Sequence, residues 1–258
     1  MSTFLNDSPV FGPVHSRRLG ISLGLNLMPS TGKICTFDCI YCENGFNESR
    51  KTDDTYVDLN EFRQALEQKL KDLKGQNITP DVLTFAGNGE PTESPIFPEA
   101  VDAAIKLRDA YAPSAKIAVL SNGTCAGRPE VHRALLKVDD NILKLDTVDP
   151  QYIRMLDRPQ VAYDIHHQIQ TFASFNGHAI IQTIFLRGTY NGRNFDNTSQ
   201  RFVRPWLEAL KEIKPSGVTV YTIARDTPAP SLEKAPKDVL EKIAKQVNDS
   251  GIACSVSY

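Results

Sequence analysis

Apolar residues along the chain fall into short β-branched runs, separated by longer stretches in which they recur every three or four positions. The run at 21–28 (ISLGLNLM) predicts a first strand. After a long loop, Asp58 supplies a helix cap, with Glu61 three residues on completing a capping box. Phe62, Leu66, Leu70 and Leu73 then share one face, and Gly75 provides the stop. The alternation repeats. Strands are predicted at 82–85, 117–120, 142–145, 180–185 and 218–223, with a short seventh at 252–256. Helices are predicted from Phe97 to Ala110 and from Pro129, then around Ile165/Ile169/Phe172, Phe202/Trp206/Leu210/Ile213 and Val239/Ile243/Val247.

Six strand–helix units of this kind predict an α/β fold with a mostly parallel sheet covered by helices. No low-complexity linker divides residues 1–258, so one domain is expected. Periodicity alone allows an open doubly wound sheet or an incomplete barrel. Both gather ligands at the carboxyl ends of their strands. Residues suited to chemistry cluster there: three cysteines after the first strand, Gly87–Thr92 after the second and Ser121–Thr124 after the third. Asp146, Arg187 and Arg225 follow the fourth, fifth and sixth.

Composition narrows the setting. No apolar run approaches the roughly 20 residues that cross a bilayer, and the first residues lack the basic and apolar regions of a secretory signal. A cytoplasmic protein without a membrane partner is expected. The formal charge of −2 carries no basic stripe that would advertise a phosphate backbone. The five cysteines are odd in number and three sit within eight residues, a pattern of metal ligands rather than of disulfides.

Those three read Cys35-Thr-Phe-Asp-Cys39-Ile-Tyr-Cys42, a C-x3-C-x2-C loop. Structural zinc and fully protein-ligated iron–sulfur clusters want a fourth ligand. Cys125 and Cys254 stand isolated and far away, where free cysteines behave as small apolar residues. Three thiolates without a fourth leave a metal centre with one open position, the mark of a site that binds and transforms something.

The spacing, with Tyr41 just before the last cysteine, resembles the signature of the radical S-adenosylmethionine (SAM) superfamily. The resemblance implies a (β/α)6 partial, incomplete TIM-like barrel. It also implies a [4Fe–4S] cluster with three irons on Cys35, Cys39 and Cys42, the fourth being chelated by SAM. Reductive cleavage of SAM would then give a 5′-deoxyadenosyl radical that takes hydrogen from a substrate. Tyr41 would lie beside the cluster and adenine. The turn Gly87-Asn88-Gly89-Glu90 looks like the family's glycine–glutamate motif and would line the methionine end of SAM, Glu90 accepting from its amino group. Ser121 and Asn122 would meet the carboxylate or ribose. Two residues apart on a strand, Lys144 and Asp146 point the same way; facing the interior, they would pair and hold SAM or substrate. Arg187 and Arg225 would stand at the barrel mouth for an anionic group, and His15, Arg17 and Arg18 would line the open side.

Phe11-Gly-Pro-Val-His-Ser-Arg-Arg-Leu-Gly20 and Asn26-Leu-Met-Pro29 look like a small single-domain group described as iron–sulfur oxidoreductases and related to the wyosine-base-forming enzymes. The absence of a second cysteine cluster argues against auxiliary clusters, and the near-neutral charge against tRNA. An external flavodoxin- or ferredoxin-like electron donor is implied. The substrate classes left open are a small molecule, a protein such as a glycyl-radical enzyme, and a tRNA base. A module that only carries electrons is the contrasting class. It would not need the Gly87–Glu90 motif.

Overall fold

A computed structural model describes residues 5–16, 19–47 and 56–258. The chain opens with β1 (Val10–Ser16) and β2 (Gly20–Leu25), followed by α1 (Leu59–Gly75), β3 (Val82–Phe85) and α2 (Phe97–Tyr111). Next come β4 (Lys116–Ser121), α3 (Pro129–Leu135), β5 (Asp140–Lys144), α4 (Pro150–Leu156) and α5 (Ile165–Ala173). The remainder holds β6 (Ala179–Ile184), β7 (Leu186–Tyr190), β8 (Arg193–Asp196), α6 (Gln200–Ile213), β9 (Gly217–Tyr221), β10 (Leu232–Lys234), α7 (Lys237–Asp249) and β11 (Cys254–Ser257).

The main sheet has eight strands in the order β1-β2-β3-β4-β5-β6-β9-β11. Every neighbouring pair from β2 onward is parallel, and only β1 runs antiparallel. The sheet forms the expected partial barrel. Strand alternation divides its two faces. Leu83, Phe85, Ile117, Val119, Leu143, Ile181, Val218 and Val220 pack beneath the helices in one large core. Val82, Ala118 and Ile142, with Leu120 and Ile180, form a separate small cluster on the opposite face. Period-two patterning therefore supplies both an oily convex side and an inner wall on which a site can be built.

Differences from the sequence reading have local causes. The predicted first strand ends at Leu25, because the Asn26 side chain bonds to both the N–H and the carbonyl of Met28 (3.2 and 3.0 Å) and turns the chain. β1 was not anticipated: Gly12-Pro13 reads as a breaker, but Pro is tolerated on an edge strand beside a register irregularity. Asp58 caps α1 by accepting from the N–H groups of Asn60 and Glu61, while Glu61 makes no return bond among the described residues. α4 was missed although Asp149-Pro150 is a cap followed by an N1 proline, Asp149 accepting from Gln151 and Tyr152. The hairpin β7–β8, to which β10 adds a third strand, was missed too. Its turn is Asn191-Gly192, both at positive φ (48° and 72°), as a two-residue hairpin turn of the primed type requires. On α7 the buried positions include Leu240, Ile243 and Val247, and Val239 is only partly covered.

Phe85 is fully buried, stacked on Phe62 and edge-on to Phe97, with centroids at 6.1 and 5.8 Å. Phe85→Ala should lower the unfolding free energy by about 3–5 kcal/mol. The check is a fall in urea midpoint at constant m-value.

Candidate metal and cofactor site

The cysteine loop crosses the carboxyl end of the sheet and is stitched to it by backbone. Ile34 forms a parallel bridge with Gly89: its N–H donates to Asn88 O (3.0 Å) and its carbonyl accepts from Glu90 N–H (2.9 Å). A Cβ on Gly89 would lie 1.6 Å from that carbonyl oxygen, and the residue has φ +140°. Only glycine permits the approach. Further along, the N–H groups of Asp38 and Ile40 donate to the carbonyls of Asp157 and Leu156 at the end of α4 (both 3.0 Å). Asn47 Nδ2 ties back the carbonyls of Cys35 and Phe37 (3.0 and 3.2 Å).

The three thiols of this loop thereby line one cavity of about 180 Å³, whose wall also includes Lys33, Tyr41, Gly89, Glu90, Ser121, Asn122 and Lys144. Leu120, Ile142, Gln182 and Tyr221 from the sheet, with Phe37 and Asn44 of the loop, complete it. Neither Cys125 nor Cys254 lines it; Cys125 is packed in the main core. Burial pushes the Cys35 thiol up to about 12 against the pull of Lys33, and pushes Cys39 up against Lys144. Such thiols stay protonated until a metal displaces the proton. Among the described residues, no three His, Cys, Asp or Glu side chains are placed to hold a single metal ion. A multi-iron cluster asks for less convergence, because each thiolate takes its own iron. Three soft donors on one loop, with ammonium groups at hand, suit such a cluster.

The strand ends supply the polar side. The Glu90 carboxylate is buried and already accepts from Thr92 N–H (3.1 Å), Thr92 Oγ1 (2.5 Å) and Ser121 Oγ (2.7 Å) on Oε1, and from Asn122 N–H (2.7 Å) on Oε2. Burial raises its pKa despite these donors. One lone pair on Oε2 remains for a further donor. The Asn122 amide donates to Thr36 Oγ1 (2.8 Å) and reaches Cys35 Sγ (3.6 Å).

Lys144 and Asp146 are paired at 3.4 Å, and Lys144 faces the interior, its ammonium also 3.8 Å from Cys39 Sγ. Lys144 donates to the Tyr41 hydroxyl, which donates to Asp146. Asp146 is anchored in turn by Ile184 N–H (3.0 Å). Asp157 was not anticipated. Buried, it accepts from Cys39 Sγ (3.6 Å) and Tyr41 (3.3 Å), and burial together with Asp146 raises its pKa. Sequence offers no signal for a partner 118 positions from Cys39.

Several of the expected site residues do not line this cavity. Asn88 does not line the cavity. Its amide donates to the carbonyls of Asn6 and Pro29 (both 2.8 Å) and its oxygen accepts from Asn6 N–H (2.8 Å), so it braces the loop from behind. Gly87 is likewise set against Asn26, whose Oδ1 a Cβ would meet at 2.4 Å. Arg187 and Arg225 also lie off the cavity wall: Arg187 is on the small sheet opposite Asp196 (3.4 Å), and Arg225 pairs with Glu43 (2.5 Å). The small sheet, absent from the predicted elements, is what redirects Arg187. His15 is exposed on the edge strand β1, and Arg17 and Arg18 lie outside the described residues.

No family profile matches the chain. A UPF0026 protein of Helicobacter pylori is 31% identical over 233 residues, covering 88% of this chain and 69% of that one. A UPF0026 protein of Methanocaldococcus jannaschii is 30% identical over 246 residues, covering 93% and 71%. The chain belongs to the UPF0026 family. Among solved structures, this UPF0026 chain is similar to a radical SAM methyltransferase from Sphaerobacter thermophilus, at TM-score 0.66 and 15% identity over 92% of this chain and 66% of that one. It is also similar to SuiB of Streptococcus suis bound to S-adenosylmethionine, at TM-score 0.63 and 16% identity, covering 91% of this chain. It spans about half of SuiB's length (50%). Archaeal TYW1 follows at TM-score 0.53 and 13% identity, covering 88% and 71%. The fold is that of radical SAM enzymes.

Because Asn88 braces the loop, Asn88→Ala should lower stability by about 1–3 kcal/mol through the buried donors and acceptors left unpaired. A fall in urea midpoint at constant m-value checks this. An unchanged midpoint would overturn the bracing role.

Proposed function

We propose that this chain is a radical SAM enzyme built as a single partial-barrel domain over residues 1–258. The supporting observation is one cavity lined by Cys35, Cys39 and Cys42 of a single loop and by Gly89, Glu90, Ser121 and Asn122 of two adjacent strand ends, with no fourth cysteine among the described residues of its wall. Cys35, Cys39 and Cys42 would hold a [4Fe–4S] cluster, with SAM at the iron they leave open, and the pair would supply reductive cleavage of the sulfonium and so a means of taking hydrogen from a substrate.

The chain's own residues bind and orient. Glu90, through its Oε2, would accept from the ammonium of SAM, and the carbonyl of Ile34 held at Gly89 fixes the cysteine loop against the end of β3. Ser121 and Asn122 stand ready for carboxylate or ribose. Tyr41, held between Lys144 and Asp146, would give the adenine a rigid neighbour. Leu120 and Ile142 give the cavity apolar wall, and Gln182 and Tyr221 add polar groups to it. Free thiols and an oxygen-sensitive centre fit a reducing cytoplasm, with an external low-potential donor of flavodoxin or ferredoxin type. The substrate is a small molecule, a protein or an RNA base, and the net outcome is of oxidoreductase or lyase type. No described helix is long and apolar enough to cross a membrane.

Anaerobic reconstitution with iron and sulfide, followed by dithionite and SAM, should yield 5′-deoxyadenosine by chromatography. Cys39→Ala should lose both the cluster absorbance and the product. Full cluster with no deoxyadenosine under any reductant would instead favour a module that only carries electrons.

A further inference from the structure

Lys33 is almost completely enclosed, at 1% exposure, and lines the cavity together with Cys35, Cys39 and Cys42. Its ammonium has three donors. One goes to the carbonyl of Gly45 at 2.8 Å. The nearest carboxylate, Asp38, is 3.8 Å away and beyond hydrogen-bond reach. Asp38 is moreover shared: its Oδ2 pairs with Arg158 at 3.0 Å, and its Oδ1 accepts from Asn47 N–H at 2.7 Å. Lys33 and the partly exposed Arg158 thus share one carboxylate, which leaves the buried ammonium without a carboxylate of its own within 4 Å. A buried ammonium without its own counter-charge is costly. It is kept where an anionic group completes the balance, and the thiolates of the loop are that group.

The second ammonium on the wall is differently placed. Lys144 has Asp146 at 3.4 Å as its own counter-charge, with Asp157 bonded to the same tyrosine. Lys33 is therefore the cation whose compensation waits on the thiolates.

We propose that Lys33 is a positioning residue for the cluster's charge, stabilising the thiolate-bound centre and favouring its reduced state. This rests on the radical SAM reading above. One electron arrives from an external low-potential donor, no proton need follow, and the centre beside Lys33 becomes one unit more negative. A fixed cation a short distance away favours that state. Net charge and hydrogen bonding around a cluster are the levers that set its potential.

The test uses wild type, Lys33→Gln and Lys33→Arg, each reconstituted anaerobically, with iron and sulfide counted and the midpoint potential read by EPR-monitored titration with dithionite in the absence of SAM. Lys33→Gln can still donate to Gly45 but has no charge; Lys33→Arg keeps the charge. The expected result is a more negative midpoint for Lys33→Gln and a near wild-type value for Lys33→Arg. Loss of the cluster in Lys33→Gln alone, with Lys33→Arg retaining it, carries the same meaning. An unchanged or raised potential in Lys33→Gln overturns the proposal, as does equal behaviour of the two variants, whether in potential or in cluster loss. A wild-type chain that assembles no cluster sinks the underlying reading as well, and shows itself before any substitution is compared.

Discussion

The site depends on one close approach, the carbonyl of Ile34 against the backbone of Gly89. Two hydrogen bonds, Ile34 N–H to Asn88 O and Glu90 N–H to Ile34 O, turn a loop residue into a strand-like neighbour of the end of β3. Any side chain at Gly89 would drive the two apart, since its Cβ would sit well inside the carbonyl oxygen. With the bridge in place, Cys35 follows Ile34 directly onto the cavity wall, and Glu90 follows Gly89 onto the facing side. The cysteines and Glu90 are thus set relative to each other by main chain, which is stiffer than any pair of side chains.

Around that bridge the protein spends buried polar groups freely, and almost all are satisfied by partners distant in sequence. Asn88 and Asn26 brace the loop from behind, Glu90 gathers four donors from its own turn and from the end of β4, and Lys144, Tyr41 and Asp146 form a chain of donors and acceptors. Such networks are stabilising only when complete, because a half-paired buried group costs more than it contributes. Lys33, buried beside the cysteines with a carboxylate it must share, stands out against that background. The convex side of the sheet, by contrast, is plain hydrophobic packing under helices. Stability resides on one face and chemistry on the other.

Much of this was legible in the residues. β-branched runs at 82–85, 117–120, 142–145, 180–185 and 218–223 became parallel strands within a residue or two, since burial on both faces leaves a continuous apolar signature. The C-x3-C-x2-C loop, the Gly89–Glu90 turn and Ser121–Asn122 do meet at one cavity, because parallel topology collects the carboxyl ends of strands. What was not legible falls into two kinds. Some signals were present but outweighed: Asn191-Gly192 and Asp149-Pro150 are strong local punctuation inside a region read as plain strand–helix alternation. Others carry no local signal. The direction in which Asn88 points, the meeting of Asp157 with Cys39, and the pairing of Arg187 with Asp196 and Arg225 with Glu43 all follow from tertiary packing.

The proposed cluster would rest on three cysteines, and its fourth iron would differ from the rest because no side chain among the described residues closes it. Mössbauer spectroscopy of the ⁵⁷Fe-reconstituted chain, with and without SAM, addresses it directly. One iron in four should change its isomer shift and quadrupole splitting when SAM is added, the other three remaining as they were. Four irons that respond to SAM not at all, in a chain with a full complement of iron and sulfide, would contradict the account.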